Sequence, residues 1–428
     1  MNRTQLWISI RDSFWFVPTI YSILSLIAVT LVATVDHWVM ANIAKHIPDL
    51  WLTDQKIAKT LYSSLITAIL TMTTISFSSI MVVLTTYSSL FSPRTLQDFM
   101  RSRVTQHVLG VDSFGFIFIL INLLLLTENS KKALISPIAA VIIAIACLAC
   151  FILFMHHASR WVKVNFLIGR IRNEASGIIN KVLSRNYYGR YTEWDDADLN
   201  GLKATTQQVI HSDRSGYIQT IDYRSLIDWA QKHHVVLKAN FQIGDYVPKN
   251  MPLFFYWSEG NSDGLKSPQG IIIGDERTPI QDIEFAMQKI VDIALKSISP
   301  SINDPHTAIN CINRLGGLLI ELGKDHKPWA YYTDNKDQLR LIIEPKTFGD
   351  YLYKSFYQIR YYGQGDVSVI HGLLEVLYKI ALVSDKPVKK DVWQFKAYVL
   401  DVVDWDNLST LDAQHLSRMV EKVDHACE

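Results

Sequence analysis

Cysteine is scarce in this chain, with four residues in 428. Cys147 and Cys150 sit inside an apolar run, while Cys311 and Cys427 stand alone in mixed sequence. No disulfide framework can be built from them, which fits a reducing compartment. An excess of either charge is also missing: 42 Lys and Arg face 41 Asp and Glu. That balance removes the basic footprint on which nucleic-acid binding depends. There is no glycine-rich phosphate loop and no nucleophile elbow. Histidines occur as the adjacent pairs His156-His157 and His233-His234, which point to different sides of a helix or strand and make poor metal sites. No metal, no cofactor and no catalytic activity are therefore expected.

Apolar sequence is abundant, at 49% of residues, and it is concentrated toward the start of the chain. Four charge-poor runs, 13–35, 60–93, 105–127 and 133–155, are each long enough to cross the ~30 Å hydrocarbon core of a bilayer at ~1.5 Å per residue. The predicted fold class is a mainly α membrane protein. Four transmembrane helices in 1–157 precede a helical stalk and linker at 158–215, a small β-rich module at 216–275 and an α-helical cytosolic domain at 276–428. Lys and Arg number nine at the amino terminus, in the 94–103 loop and after residue 155, against five in the other two loops. By the positive-inside rule both termini are cytosolic, in a bacterial inner membrane.

The second run has no charged residue between Lys59 and Arg94. Hydroxyls recur in it at Thr60, Ser64, Thr67, Thr71, Thr74, Ser78, Thr85, Ser88 and Ser92, a 4,3 rhythm broken only by Met81. That spacing predicts one narrow seam along a helix, facing either a packing partner or an aqueous path. The run ends at a basic elbow of Arg94, Arg101 and Arg103, readable as positive-inside anchors or as the vestibule of a subunit ring. Asp112, in the third run, is expected to snorkel to the near membrane edge; pairing with Arg101 or Arg103, or an ion site, are the alternatives.

After residue 155 the fourth helix is expected to continue. Trp161, Val164, Ile168, Ile171, Ala175, Ile178 and Val182 keep a heptad rhythm. The stripe suits either docking on the chain's own domain or pairing between subunits. Residues 186–215 read as irregular. Alternation at 216–222 and 235–241 predicts strands, separated by a short helix at 225–232. The pattern Gly244-Asp245-x-Val247 followed by Pro252-Leu253 resembles the turn of lipoyl-like barrel-sandwich modules, without their modified lysine. Thr278-Pro279-Ile280-Gln281 reads as a capping box opening a helix that stops before Pro300, and Asp304-Pro305 as the next start. Residues 340–344 read as a lone strand, and further helices are predicted from about Thr347, Asp366, Lys386 and Ser409.

Three separated blocks then agree in order with one family. They are Phe91-Ser92-Pro93-Arg94 with Phe99-Met100-Arg101; Gly216-Tyr217-Ile218-Gln219 with Ile221-Asp222; and Glu276-Arg277-Thr278 with Ser299-Pro300-Ser301-Ile302-Asn303-Asp304-Pro305. Together they resemble the bacterial predicted membrane proteins of domain of unknown function 2254. The resemblance implies an inner-membrane protein and supplies no activity.

The most site-like soluble block holds Asn303, Asp304, His306 and Thr307, with Arg277 as a partner, and suits a ligand or ion. Capping explains Asp304 and Pro305 suits its helix position, so the block reads first as a structural joint between two helices. The expected partners are the lipid bilayer, ions and further copies of the chain. A homo-oligomeric channel or pore-like transporter with a cytosolic regulatory domain is the leading expectation. The other is a membrane-anchored sensor or scaffold whose soluble part binds a ligand or protein.

Overall fold

The computed structural model describes residues 13–42, 53–90, 99, 102–126, 136–184, 189–203, 206–258, 264–265 and 267–428. Two compact units emerge, Met1–Leu167 and Ile168–Glu428.

The first unit contains four helices long and apolar enough to cross a membrane: α1 (Phe16–Asn42), α2 (Gln55–Leu90), α3 (Arg103–Leu125) and α4 (Ser136–Trp161). With 36 residues, α2 is about 54 Å long and overruns the hydrocarbon core by several turns. The middle helix is α3. It has 44% of its span buried against 17–22% for the others, and it packs on all three. Glycine permits the approach. A Cβ at Gly110 would stand 2.6 Å from the Tyr21 ring, and one at Gly115 would stand 2.6 Å from Cys147 Sγ. Val29, Tyr62, Ile69, Phe118 and Cys147 fill the shared core. At one end the Asp36 carboxylate of α1 accepts a hydrogen bond from the Ser136 amide at 3.2 Å, supplying α4 with a cap from another helix.

The second unit opens with α5 (Val164–Leu183), whose first four residues belong to the membrane unit. It is not a continuation of α4, because the chain leaves helical geometry at Val162 and Lys163. Its apolar stripe is already spent. Ile168, Ile171, Ala175 and Ile179 are buried, Arg172 and Ser176 both bond Glu321, and Glu174 meets Lys289 at 3.7 Å. This face of α5 therefore docks on its own unit, while Val164, Ile178 and Val182 of the heptad stripe are half-buried.

Strands then appear where irregular chain was expected: β1 (Gly189–Tyr191) and β2 (Gln208–His211), separated by α6 (Asp196–Lys203). After β3 (Gly216–Ile221) come α7 (Tyr223–Lys232), β4 (Val235–Ala239), β5 (Tyr246–Val247), β6 (Pro252–Ser258) and β7 (Ile271–Gly274). These do not close on themselves as a barrel-sandwich. β3 lies between β5 and β7 in a three-stranded sheet, whereas β4 and β6 are neighbours in a six-stranded sheet edged by β1 and β2. The late strands β8 (Tyr331–Thr333) and β9 (Leu339–Ile342) complete the larger sheet. Residues 340–344 are therefore no lone strand: β9 pairs with β8 antiparallel and with β4 in parallel. Ile218, Leu226, Leu237, Phe254 and Leu341 knit the sheets and α7 into one core.

Helices complete the unit: α8 (Ile283–Ser297), α9 (Pro305–Asp325), α10 (Phe348–Gly363), α11 (Val367–Val383), α12 (Lys386–Leu400) and α13 (Thr410–Cys427). At the centre is α9, with Ala308, Ile312, Leu315, Leu319 and Leu322 fully buried against α8, α10 and α11. Most starts are written locally. Asp304, Thr347, Asp366 and Ser409 each cap a helix with their side chains, Thr347 and Asp350 as a full capping box. The expected box at Thr278 does not form. Gln281 instead bonds the amide and carbonyl of Ile221 on β3, and α8 starts four residues later under Asp282. All four cysteines are free thiols.

Candidate functional site

The hydroxyl seam lies on the outside of the membrane unit. Thr60, Ser64, Thr67, Thr71, Thr74, Ser78 and Thr85 are all exposed, while Ala58, Tyr62, Ile69, Ser76, Ile80 and Val83 form the opposite, buried face of α2. The seam faces away from its own bundle. Its hydroxyls do not dangle. Thr67, Thr71, Thr74 and Thr85 each donate to a carbonyl one turn back on α2, at 2.8 to 3.0 Å. With those protons engaged, the seam presents oxygen lone pairs outward. The side chain of Ser88 lies outside the described residues, as do Ser92, Arg94 and Arg101, while Arg103 opens α3 in an exposed position.

Asp112 neither snorkels nor pairs with Arg103. It is fully buried, and neither carboxylate oxygen has a hydrogen-bond partner among the described residues. It lies mid-helix on the buried face of α3, with Thr105, Val108 and Leu109.

In the second unit the sequence-selected residues divide into two places. Asp304 caps α9, its side chain accepting from the Thr307 hydroxyl at 2.6 Å and amide at 3.1 Å, and these bonds hold its carboxyl below the ordinary aspartate range. Asn303 takes a left-handed φ of 50° beside it, and both Asn303 and His306 are exposed. Arg277 is elsewhere. It bonds Asp282 at the start of α8, while the 303–307 turn follows the end of that helix, and the 15 residues between span about 22 Å. The structure does not bring Arg277 to that turn.

What Arg277 does is close a partly buried charge network. Its Nε meets Asp282 Oδ2 at 2.7 Å and its Nη2 meets Glu284 at 3.4 Å, while Glu284 takes Lys346 Nζ at 2.5 Å. Burial opposes the charge on Arg277, but the bonds to Asp282 outweigh it and raise the guanidinium above its usual value. Burial likewise opposes ionised Glu284, and Lys346 and then Arg277 override it and hold that carboxyl low.

Asp282 and Lys346 form part of the wall of a cavity of about 490 Å³, in the size range of small-molecule sites. Tyr223, Trp329, Tyr332 and Tyr351 line it with rings, and Arg190, His326 and Lys327 with nitrogen. Two cations approach the Trp329 ring, with Arg190 Cζ 4.9 Å and Lys327 Nζ 5.6 Å from its centre. Burial pushes the His326 imidazole below its ordinary value, partly offset by a hydrogen bond to the Lys346 backbone. A wall that mixes aromatic rings, cationic side chains and the carboxylates Asp282 and Glu344 suits a small polar ligand. Sequence reasoning missed this cavity because its wall is gathered from α5, β1, β3, the 326–329 turn and the 343–346 turn, none of which carries a ligand-binding motif. Among the described residues, no three His, Cys, Asp or Glu side chains converge on a point.

The chain is 29% identical over 323 residues to uncharacterized proteins of Mycobacterium tuberculosis (strain CDC 1551 / Oshkosh) and Mycobacterium bovis (strain ATCC BAA-935 / AF2122/97). The alignments cover 72% of this chain and 60% of each relative, so the chain spans less than two thirds of their length. No solved structure matches it. Four helices long and apolar enough to cross a membrane, followed by a unit of helices and strands, agree with the family whose model matches residues 11–379, and the chain belongs to that family, described as predicted membrane protein (DUF2254).

Proposed function

We propose that the chain is the subunit of a homo-oligomeric, pore-like membrane protein whose soluble unit carries a regulatory ligand site. The observation that carries this is the outward hydroxyl seam. A row from Thr60 to Thr85 on the exposed face of α2 gains little from lipid, and self-bonded hydroxyls facing one another across a symmetry axis make a wettable lining. The length of α2 lets such a lining run beyond the hydrocarbon on both sides. The inner-membrane location and cytosolic termini belong to the same proposal and rest on the distribution of Lys and Arg.

The test uses single cysteines at Thr71, Thr74 and Ser78 in reconstituted protein. Water-soluble thiol reagents reach them and alter ion flux if the seam lines a path. Absence of both flux and labelling, or a monomer in mild detergent, rejects the pore. A second reading, a membrane-anchored sensor, is favoured by the cavity below Trp329. Under it, flux is absent, and substitution of Arg190 or Lys327 abolishes the response to a ligand that protects the soluble unit from unfolding.

A further inference from the structure

The interior of the membrane unit holds a polar feature separate from the seam. Asp112 is 0% exposed, and Oδ1 and Oδ2 are both without a hydrogen-bond partner among the described residues. Two other buried oxygens in this unit share that condition, Ser76 Oγ on α2 and Thr105 Oγ1 on α3. Contacts between helices set their depths. Gly115 faces both Ile69 and Cys147, Ser79 meets Met155, and Ser102 meets His157. Running α2 and α4 parallel and α3 against them, these pairings place Ser76 at a level between Asp112 and Thr105. Thr105 lies seven residues before Asp112, on the same face of α3.

Among the described residues, no charged group answers this carboxyl. From α4, Cys147 and Cys150 lie within electrostatic reach. From α1 comes Tyr21, whose hydroxyl is 3.1 Å from His107 Nδ1. Between Tyr62 and Thr86, α2 carries no titratable residue, and α3 itself adds His107 and Arg103, both exposed. A bare carboxylate with neither counter-ion nor donor is strongly disfavoured in a membrane interior. A hard divalent cation calls for about six oxygen ligands, more than Asp112, Ser76 and Thr105 supply.

We propose that Asp112 is a proton-binding site inside the membrane unit. The proton exchanges with water at the end where α3 begins. From Asp112 the polar groups continue through Thr105 to Ser102, whose hydroxyl stands 3.1 Å from His157 Nε2, and His157 adjoins His156 and Arg160 in the polar last turns of α4. The site needs no pore. A protein that passes no ions but titrates at Asp112 loses the pore reading and keeps this one.

Full-length protein in proteoliposomes provides the test, read by infrared spectroscopy and by dicyclohexylcarbodiimide. The reagent reacts with a protonated carboxyl: the proton moves to a carbodiimide nitrogen, the oxygen bonds the central carbon, and the adduct rearranges to an N-acylurea with nothing lost. The wild-type spectrum minus that of Asp112→Asn, which keeps the shape of the acid, shows a protonated-carboxyl band that shifts in D₂O and disappears at alkaline pH. The adduct maps to the Asp112 peptide, falls with the same pH dependence and is indifferent to sodium and lithium. Absence of the band at every pH overturns the proposal. So does protection from the reagent by sodium or lithium, which would make the occupant a metal cation.

Discussion

Gly244 lies against Asp282 so closely that a Cβ at residue 244 would stand 2.3 Å from Asp282 Oδ2. The backbone there has a φ of +90°, a region that L side chains rarely adopt. Gly244→Ala therefore suffers twice, through its own backbone and through displacement of the Arg277–Asp282 pair. The expected loss is about 2–4 kcal/mol, measured by denaturant unfolding in detergent. An unchanged midpoint would show that the turn does not rest on the pair.

Arg277 is the counter-charge for a carboxylate whose side chain is only 3% exposed. Arg277→Met strands Asp282 and weakens the hold on Glu284. Since Arg277 itself is about a quarter exposed, the expected cost is about 2–3 kcal/mol, below that of a fully dry pair. Asp282→Asn in the same background recovers part of the loss, and the double-mutant cycle reads the coupling.

Adjacent glycines on α9 behave oppositely. A Cβ at Gly316 would stand 2.0 Å from Val376 Cγ2, whereas one at Gly317 meets nothing within 4 Å. Gly316→Ala forces α9 from α11 at about 1–3 kcal/mol, and Gly317→Ala stabilises by about 0.5–1 kcal/mol through helix propensity. Thermal unfolding of the two variants shifts in opposite directions.

The cavity has a pH signature through His326. Burial lowers its folded value below the ordinary 6.5, so between the two values the unfolded chain binds more protons. Stability is then complete above pH 6.5 and falls as the pH drops through 6.5 to the folded value. The thermal midpoint of His326→Gln loses that segment of the wild-type pH dependence. An identical profile in the two proteins would place the imidazole in water.

The four helices long and apolar enough to cross a membrane were legible because a charge-poor run of that length admits few other structures. Helix starts at Asp304, Thr347, Asp366 and Ser409 were legible because caps are local. Thr278 failed for the converse reason: Gln281 serves a strand 60 residues away, and no window around the helix contains that partner. Sheet order was beyond reach for the same cause, since β4 and β9 are about a hundred residues apart. The seam was visible as a period, but not its direction, because period fixes a face and only packing fixes what the face meets. Asp112 was misplaced toward the edge because a sequence shows the depth of a residue along a helix and conceals its azimuth.

The parallel pairing of β9 with β4 also bears on how the protein can be cut. Any fragment that stops before residue 339 leaves β4 with an open edge of unpaired amides and carbonyls flanked by Val235, Val236 and Leu237, a template for intermolecular strand addition. A cut that releases β9 would therefore leave this unit prone to aggregate. The same closure works as a checkpoint in synthesis: until the ribosome has delivered residue 342, the larger sheet is unfinished and its most apolar strand depends on other cover.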